Sequence, residues 1–295
     1  MMKKLVYLAS AVFAVAFLGL TSCSAPSPKV NARAVPERMD DFIFENDYYC
    51  FRIYGKALEG RPTAPGVDFW AKNCDTLVAE GRYELYMKGG DASYHKDYGN
   101  GRDCYKVGVS LGAGASSPFI SDTLRFPATN YRSYEILSSS PKKAVFVLHY
   151  PEWEVCGYTI ALDKKLTVEA GKRFCEVEDC YTFSGPGETL DIAAGIFRHQ
   201  EEDVLEDLTE PDRIAIWERA SDLSGGPEDG LIGVAVVMQD AAESKVAAGH
   251  SLLIKPVKSG EKLNYYLSAV WSKYDVPSAQ DWFKIVKDFQ PACSR

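Results

Sequence analysis

The chain has 295 residues, of which 46% are hydrophobic and 25% charged, and this is enough apolar material for one large domain with its own core. Its 41 acidic side chains outnumber its 33 basic ones, and no basic run or face is evident. The net charge of −8 therefore excludes nucleic acid as an expected partner, although an acidic protein can still bind an acidic sugar through a few local cations.

The N-terminus predicts secretion and lipid attachment. Lys3 and Lys4 precede an apolar run that ends at Leu20, and Leu20-Thr21-Ser22-Cys23 follows directly. This pattern resembles a bacterial lipoprotein signal with its lipobox, because the run is too short and too close to the terminus for a typical membrane-spanning helix. We expect cleavage before Cys23 and a lipid on that cysteine, which would then be the membrane anchor.

These signals predict three parts of the chain. Residues 1–22 are the expected signal peptide, residues 23–38 a flexible tether rich in small polar residues and proline, and residues 39–295 a single domain. The residues directly behind Cys23, Ser24-Ala25-Pro26-Ser27-Pro28, lack the acidic residues of a surface-export signal. We therefore expect a lipoprotein that faces the periplasm.

The cysteines give limited information about disulfides. Seven remain besides Cys23, so at least one is unpaired even where an oxidising compartment allows disulfides. Cys175 and Cys180 are five residues apart in a predicted strand, which places them on opposite faces and roughly 16 Å apart at about 3.3 Å per residue. They should not pair with each other. No C-x-x-C spacing occurs, so zinc-knuckle and thioredoxin-like sites have no support.

Strand-like runs of β-branched and aromatic residues, separated by turn signals, fill most of the chain. Many strands with little helix indicate an all-β, antiparallel sandwich or barrel. One short C-terminal helix is predicted, with Ser278 as its cap and Trp282, Ile285, Val286 and Phe289 at helical spacing. The predicted strands are 131–137, 143–150, 157–162, 165–170, 173–183, 190–198, 213–219 and 231–238, with turns that include Asp163-Lys164.

The densest polar stretch is residues 94–114, YHKDYGNGRDCYKVGVSLGAG. Gly99-Asn100-Gly101 predicts a tight turn, and residues 104–111 predict a strand with one polar face. Glycines at 108, 112 and 114 remove side chains where a strand normally carries them, which indicates a bulge or a close approach by another backbone or a ligand. A plain hairpin with solvated charges is the alternative.

Four segments, FENDYYCFRIYGKAL, GVDFWAKN, residues 94–114 and YYLSAVWSK, resemble a bacterial family catalogued as domain of unknown function 4861. The resemblance covers nearly the whole chain after the signal. It implies a galactose-mutarotase-like β-supersandwich and genes that lie among polysaccharide-utilisation clusters. It also implies a link to the breakdown of uronic-acid-rich polysaccharides, including dehydratase-like activity on uronate-terminated oligosaccharides.

Elimination next to a sugar carboxylate needs a base near the C5 hydrogen, an acid at the departing oxygen and a cation for the carboxylate. The candidates that supply these chemical types are His95, Tyr105, Lys106 and His199 as catalytic residues. Candidates for substrate binding are Arg52, Lys72, Tyr94, Asp97, Arg198 and Trp271, the last as a stacking platform. The other two histidines, His149 and His250, are expected to be packed or surface residues. No cofactor is expected, and the expected partner is an acidic oligosaccharide.

Three alternatives remain open at this stage. A glycoside hydrolase would need two carboxylates across a cleft, and no spacing selects a pair. A carbohydrate-binding lipoprotein without catalysis would depend on Trp271, and a structural envelope protein would bind no small ligand. A metal site built from His95, Asp97 and His199 has little support, because the ligands are not closely spaced. The carboxylates available to a hydrolase are Glu45, Asp47, Asp68, Asp97 and Asp103.

Overall fold

The computed structural model describes residues 29–60, 66–90, 93–199, 204–220 and 229–291. The expected signal peptide and Cys23 lie outside these residues, so cleavage and lipidation stay predictions. Among the described residues, no helix has both the length and the apolar composition needed to cross a bilayer.

Antiparallel strands make up most of the described chain. They are joined by two α-helices, α1 (Ala79–Lys88) and α2 (Ala279–Asp288), and a short 3-10 helix at Lys56–Leu58. The strands are β1 (Val30–Val35), β2 (Asp41–Asn46), β3 (Cys50–Ile53), β4 (Val67–Lys72), β5 (Gly101–Asp103), β6 (Ala113–Ile120), β7 (Thr123–Leu124), β8 (Ser133–Ser140), β9 (Lys143–Val155), β10 (Tyr158–Glu169), β11 (Cys175–Ser184), β12 (Thr189–Phe197), β13 (Val204–Glu210), β14 (Arg213–Arg219), β15 (Leu231–Val237), β16 (Glu243–Ala247), β17 (His250–Lys258) and β18 (Lys262–Trp271).

The strands form three sheets. The first has the order β1-β2-β3-β4-β5, the second β13-β14-β15-β18-β11-β10-β9-β8, and the third β16-β17-β12-β6-β7. In the second sheet, buried and exposed residues alternate along β9, β10 and β11, which is the period of strands with one face in a core. β6 and β12 of the third sheet pack on β15 of the second, so an apolar core fills the space between them. The prediction of an all-β sandwich is confirmed.

Close packing explains why two positions of the 94–114 stretch, Gly112 and Gly114, carry no side chain. A Cβ atom at Gly114 in β6 would lie 2.9 Å from the Cβ of Leu267 in β18, closer than real side chains approach. At Gly112 it would lie 2.1 Å from the carbonyl oxygen of Val67, with which Gly112 forms an isolated parallel bridge. The predicted close approach by another backbone is confirmed at Gly112, whereas Gly114 faces side chains and a Cβ atom at Gly108 would meet nothing within 4 Å.

The predicted strand over residues 104–111 is wrong, because this segment is a loop between β5 and β6. Gly108 and Gly112 both have φ near +60°, which breaks extended pairing. Ser110 closes the loop locally: its hydroxyl donates to the carbonyl of Val107 and accepts from the Gly112 N–H. The predicted Gly99-Asn100-Gly101 turn is confirmed, with φ of +97° and +94° at its two glycines.

Two other boundaries were also wrong. The expected tether runs to residue 38, but Val30–Val35 form β1, which pairs along its whole length with β2. The expected turn at Asp163-Lys164 is the middle of β10, which continues unbroken past it. The C-terminal helix is confirmed as α2, since the Ser278 hydroxyl accepts from the Asp281 N–H and Trp282 is fully buried.

Candidate active site

The loop between β5 and β6 brings three chemical groups together. His199 follows the end of β12, Glu218 lies in β14, and Tyr105 lies in the loop. The His199 Nδ1 is 2.9 Å from the Glu218 Oε1, and its Nε2 is 2.7 Å from the backbone carbonyl oxygen of Lys106. The rings of Tyr105 and His199 meet edge to face with centroids 4.9 Å apart. We call Tyr105, His199 and Glu218 the Tyr-His-Glu group.

Hydrogen-bond counting shows that this group carries an acidic proton. A backbone carbonyl only accepts, and an ionised carboxylate only accepts, yet both ring nitrogens of His199 face such an oxygen. Either His199 is protonated on both nitrogens, or the carboxyl of Glu218 holds one of the protons. In both cases the pair holds two protons, so it can give one to a departing oxygen.

The Tyr105 hydroxyl is the second proton carrier in the group. It is buried and has no hydrogen-bond partner among the described residues. Burial raises the pKa of Tyr105 well above its usual range, and the negative charges of Glu218 and Asp68 raise it further. The phenol therefore stays protonated at neutral pH and can donate a hydrogen bond.

A second polar group surrounds Arg52 in β3. Its Nη2 is 2.6 Å from an Asp68 oxygen and 3.2 Å from an Asp103 oxygen, and its Nη1 is 3.8 Å from Asp41. The guanidinium also lies over the Trp70 ring, 4.9 Å from its centroid. We call Arg52, Asp41, Asp68 and Asp103 the Arg52 cluster. All four side chains are buried, so the prediction that Arg52 binds substrate directly is not supported.

The Arg52 cluster extends to His95 at the surface. The His95 Nδ1 is 3.6 Å from the Asp103 Oδ2 and 3.3 Å from the Asp103 carbonyl oxygen, while half of the ring is exposed. Asp97 holds the turn beneath it, because one carboxylate oxygen accepts from the N–H groups of Gly99 and Gly101. The exposed ring keeps His95 a candidate base, and Asp97 stabilises the loop.

The two groups lie close enough to interact electrostatically. Asp68 raises the pKa of both Tyr54 and Tyr105, and Tyr105 contacts His199. His95 and Arg52 meet at Asp103, and His199 meets the Lys106 carbonyl. The 94–114 stretch therefore supplies residues to both groups, and the Lys106 side chain is exposed beside them.

Burial and close carboxylates in the Arg52 cluster favour a bound proton. Arg38 lies 3.0 Å from Asp41, so the guanidinium groups of Arg38 and Arg52 face the carboxylates of Asp41, Asp68 and Asp103. Burial of a carboxyl group and a neighbouring carboxylate both disfavour its charged form. Burial and the neighbouring Asp103 raise the pKa of Asp68 to about 7, against the opposing effect of Arg52.

We expect the Asp68→Asn variant to change how stability depends on pH. The pKa of Asp68 rises from 3.8 to about 7 on folding, so the folded protein binds more protons between those values and the free energy of unfolding falls as pH rises through them. Burial raises the pKa of Asp41 to about 6, with the same sign. Burial lowers the pKa of His250 from 6.5 to about 4, with the opposite sign. Asp68→Asn should therefore reduce the fall in the free energy of unfolding with rising pH. The effect should be clearest between pH 6.5 and 7, above the pH ranges in which Asp41 and His250 titrate.

Urea unfolding at a series of pH values measures this effect. Asp122→Asn is the matched control, because the Asp122 side chain is 84% exposed. An unchanged slope near pH 7 in Asp68→Asn would show that Asp68 is ionised in the folded protein.

Three of the predicted binding residues are structural. The Lys72 Nζ is buried 2.8 Å from Glu45, whose carboxylate accepts from the N–H groups at the start of α1. The Tyr94 ring stacks on Trp70, and its hydroxyl accepts from Arg38. Trp271 is 2% exposed and donates to the Asp229 carbonyl, so the stacking-platform prediction is wrong. Stacking on a sugar needs an exposed indole face, and core residues cover the indole of Trp271.

The sequence places Arg198 next to His199, but the Arg198 side chain contacts residues outside the Tyr-His-Glu group. Its Nη1 is 2.9 Å from Asp207 in β13 and 3.2 Å from the Ser251 hydroxyl in β17. Nothing in these contacts supports a substrate-binding role for Arg198.

The two remaining histidines are packed or at the surface, as predicted. His250 is buried, accepts from the Leu111 N–H at Nε2 and donates from Nδ1 to the Ala248 carbonyl. His149 is partly exposed in β9 with its Nδ1 2.7 Å from Asp163. Neither belongs to the Tyr-His-Glu group.

The carboxylates considered for a hydrolase all have structural partners. Glu45 binds Lys72, Asp97 closes its turn, Asp68 and Asp103 bind Arg52, and Asp47 accepts from the Gly171 N–H. Among the described residues, no three His, Cys, Asp or Glu side chains are grouped so that they could hold a metal ion. Within the described part of the chain, the free cysteines include Cys50, Cys74, Cys156, Cys175 and Cys180.

Glu218 is the functional candidate that sequence reasoning missed. It follows an apolar run, IAIW, in a strand whose other residues up to Trp217 are buried. A carboxylate that continues a buried run needs a hydrogen-bond or charge partner, so the position of Glu218 directly after apolar residues indicates a paired, buried carboxylate. The partner, His199, lies 19 positions earlier, and no local pattern links the two.

Similarity to known proteins agrees with the resemblance seen in the sequence. A family model described as "Domain of unknown function (DUF4861)" matches residues 17–294. The chain belongs to this family. This DUF4861 protein is 26% identical over 274 residues to "Uncharacterized protein P7" of Formosa agariphila, across 88% of this chain and 66% of that protein. It therefore spans just under two thirds of its relative's length.

Among solved structures, the DUF4861 chain is similar to a 4-alpha-glucanotransferase from Thermococcus litoralis. The TM-score is 0.36 and the identity 9%, across 83% of this chain and 40% of the glucanotransferase.

Proposed function

We propose that this DUF4861 protein is a periplasm-facing lipoprotein that acts on uronic-acid-containing oligosaccharides by β-elimination or dehydration. The observation that carries this proposal is the Tyr-His-Glu group, in which His199 and Glu218 together hold two protons beside the hydroxyl of Tyr105. Protonation of a departing oxygen is the step that such a group is built to perform.

The reaction balances with groups from this chain. A base removes the C5 hydrogen as a proton, the electrons of that C–H bond form the new C=C bond, and the bond to the departing oxygen breaks. The departing oxygen takes a proton from the His199 and Glu218 pair and leaves as a hydroxyl or as water. Charge that develops on the substrate carboxylate is stabilised by donors such as Tyr105 and a cation, for which Lys106 is the exposed candidate.

His95 is the candidate for the base. Its Nδ1 faces Asp103, which orients the ring, and its exposed half faces solvent where a sugar can approach. Asp103 also binds Arg52, so the histidine is linked to a rigid buried cluster. A base and an acid that come from separate groups allow proton removal and proton donation on different substrate atoms.

The alternatives have less support from the described residues. Trp271 is buried, so it cannot be the stacking platform expected for a non-catalytic carbohydrate-binding protein. The hydrolase carboxylates are held in turns, helix ends and ion pairs.

The test is incubation of the purified protein with a panel of sulfated and unsulfated uronate oligosaccharides, followed by mass spectrometry and ultraviolet absorbance. Dehydration removes one water, chain cleavage by elimination adds none and gives a 4,5-unsaturated chromophore, and hydrolysis adds one water. We expect one of the first two results. Addition of water would replace this proposal with a hydrolase, and an unchanged panel would remove its main support.

A further inference from the structure

A concave surface lies outside both polar groups. It has a volume of about 770 Å³ and is formed by the end of β1, the turn into β2, the start of the 3-10 helix and the start of β8. We call it the tyrosine groove. Its chemically important lining residues are Arg33, Asp40, Lys56, Tyr131, Arg132 and Tyr134.

The groove has a rigid aromatic floor. The Tyr134 ring is 48% exposed and meets Phe42 with centroids 5.5 Å apart, while Tyr131 meets the same Phe42 at 6.4 Å. The Tyr131 hydroxyl donates to the Asp40 carbonyl, and Phe42 stacks on Phe146 in the core. An exposed ring that is already fixed loses little conformational entropy when a ligand stacks on it.

Some charged side chains around the floor are held in ion pairs, and others are open to a ligand. Arg132 binds both oxygens of Glu59, and Arg33 binds Glu80 and Glu37. The exposed side chains of Lys56 and Asp40, in contrast, form no ion pair or side-chain hydrogen bond with any residue in the described ranges. Lys56 is near Glu59 only at longer range. One ammonium and one carboxylate are therefore open beside an exposed aromatic ring.

We propose that the tyrosine groove binds one residue of an acidic oligosaccharide. The sugar ring would lie on Tyr134, its carboxylate would face the Lys56 ammonium, and its hydroxyls would donate to Asp40. The volume is within the range of small-molecule sites, about 300 to 1,000 Å³. The sugar class rests on the proposed function, and the groove would hold a chain apart from its reacting residue.

The test is isothermal titration calorimetry with glucuronate-containing oligosaccharides, and with neutral gluco-oligosaccharides of equal length. The titrations use the His199→Gln background so that turnover does not consume the probe. We expect Tyr134→Ala and Lys56→Met each to raise the Kd of the glucuronate-containing oligosaccharide at the tyrosine groove at least about tenfold. This is the usual scale for truncating an aromatic or charged contact. The control is Leu137→Ala, which removes a side chain of β8 with 49% exposure outside the groove.

The outcomes separate this inference from the proposed function. Unchanged affinity in both groove variants overturns the groove, whether or not the wild-type protein turns uronates over. Groove-dependent binding without any turnover by the wild-type protein overturns the catalytic proposal and leaves the groove in place. Equal affinity for neutral oligosaccharides overturns the choice of an acidic sugar.

Discussion

The His199→Gln variant is expected to turn over uronate oligosaccharides about 10² to 10⁴ times more slowly than the wild-type protein, the usual contribution of a positioned general acid or base. Glutamine can still bond the Lys106 carbonyl or Glu218 through its amide, but it carries no transferable proton. The measurement is kcat under saturating substrate, with the melting temperature recorded alongside because His199 is buried.

Glu218→Gln separates a positioning role from a structural one. Glutamine preserves the shape of Glu218 and removes its charge, so His199 loses the group that shares its second proton. We expect the pH dependence of kcat to shift as well as its magnitude to fall. A lower melting temperature with an unchanged pH profile would show that Glu218 only supports the fold.

His95→Ala tests the base in the same assay, and His149→Ala is its matched control. Both rings are partly exposed and both face an aspartate through Nδ1, but only His95 belongs to the 94–114 loop. We expect His95→Ala to lower turnover by the same order, about 10² to 10⁴, with little effect on the melting temperature. His149→Ala should leave the activity of the folded fraction unchanged. Near-normal turnover in His95→Ala would assign the base elsewhere.

The second large effect concerns stability and a buried ion pair in the core. The Lys164 Nζ lies 2.9 and 2.6 Å from the two oxygens of Asp179 and 3.1 Å from the Tyr265 hydroxyl. The Ser116 hydroxyl also donates to Asp179, and all four residues are buried. Lys164→Met would leave the Asp179 charge buried without its cation, so we expect a loss of about 3 to 5 kcal/mol in the free energy of unfolding.

The neighbouring residue provides the control. Lys165 is next to Lys164 in β10, and its Nζ lies 3.5 Å from Glu178 at the surface. Lys165→Met should cost under about 1 kcal/mol, because an exposed pair contributes little. The double variant Lys164→Met with Asp179→Asn should recover part of the loss, since the uncompensated charge is gone and the amide oxygen still accepts from Ser116 and Tyr265. Equal losses in Lys164→Met and Lys165→Met, measured by urea unfolding, would contradict this account.

The same ion pair explains why the sequence predicts a turn at Asp163-Lys164 where the structure has a strand. Asp163-Lys164 has the composition of a turn, and a lysine at a core position contradicts the usual strand pattern. The structure places Lys164 opposite Asp179 in the register of β10 and β11, so the charge is neutralised where it is buried. A partner on another strand decided the conformation, and local composition does not contain that partner.

The candidate site was predictable by residue type more than by position. The sequence identified the 94–114 stretch, His95, Tyr105, Lys106 and His199 as candidates, and the structure brings His199 and Tyr105 together. The sequence did not identify Glu218. It predicted substrate-binding roles for Trp271, Lys72 and Tyr94, whose side chains are buried in structural contacts. Aromatic and cationic side chains serve both cores and sugar sites, so residue type alone cannot separate the two uses.

By itself, the sequence determined the all-β class, the C-terminal helix, the Gly99-Asn100-Gly101 turn and membership of the DUF4861 family, because strand propensity, capping and turn chemistry act over a few residues. Only the tertiary structure decided that residues 104–111 form a loop, that Glu218 orients His199, and that Arg52 lies among three carboxylates. These contacts join residues that are far apart in the chain. Their energies depend on burial and charge balance, which exist only after the sheets have packed.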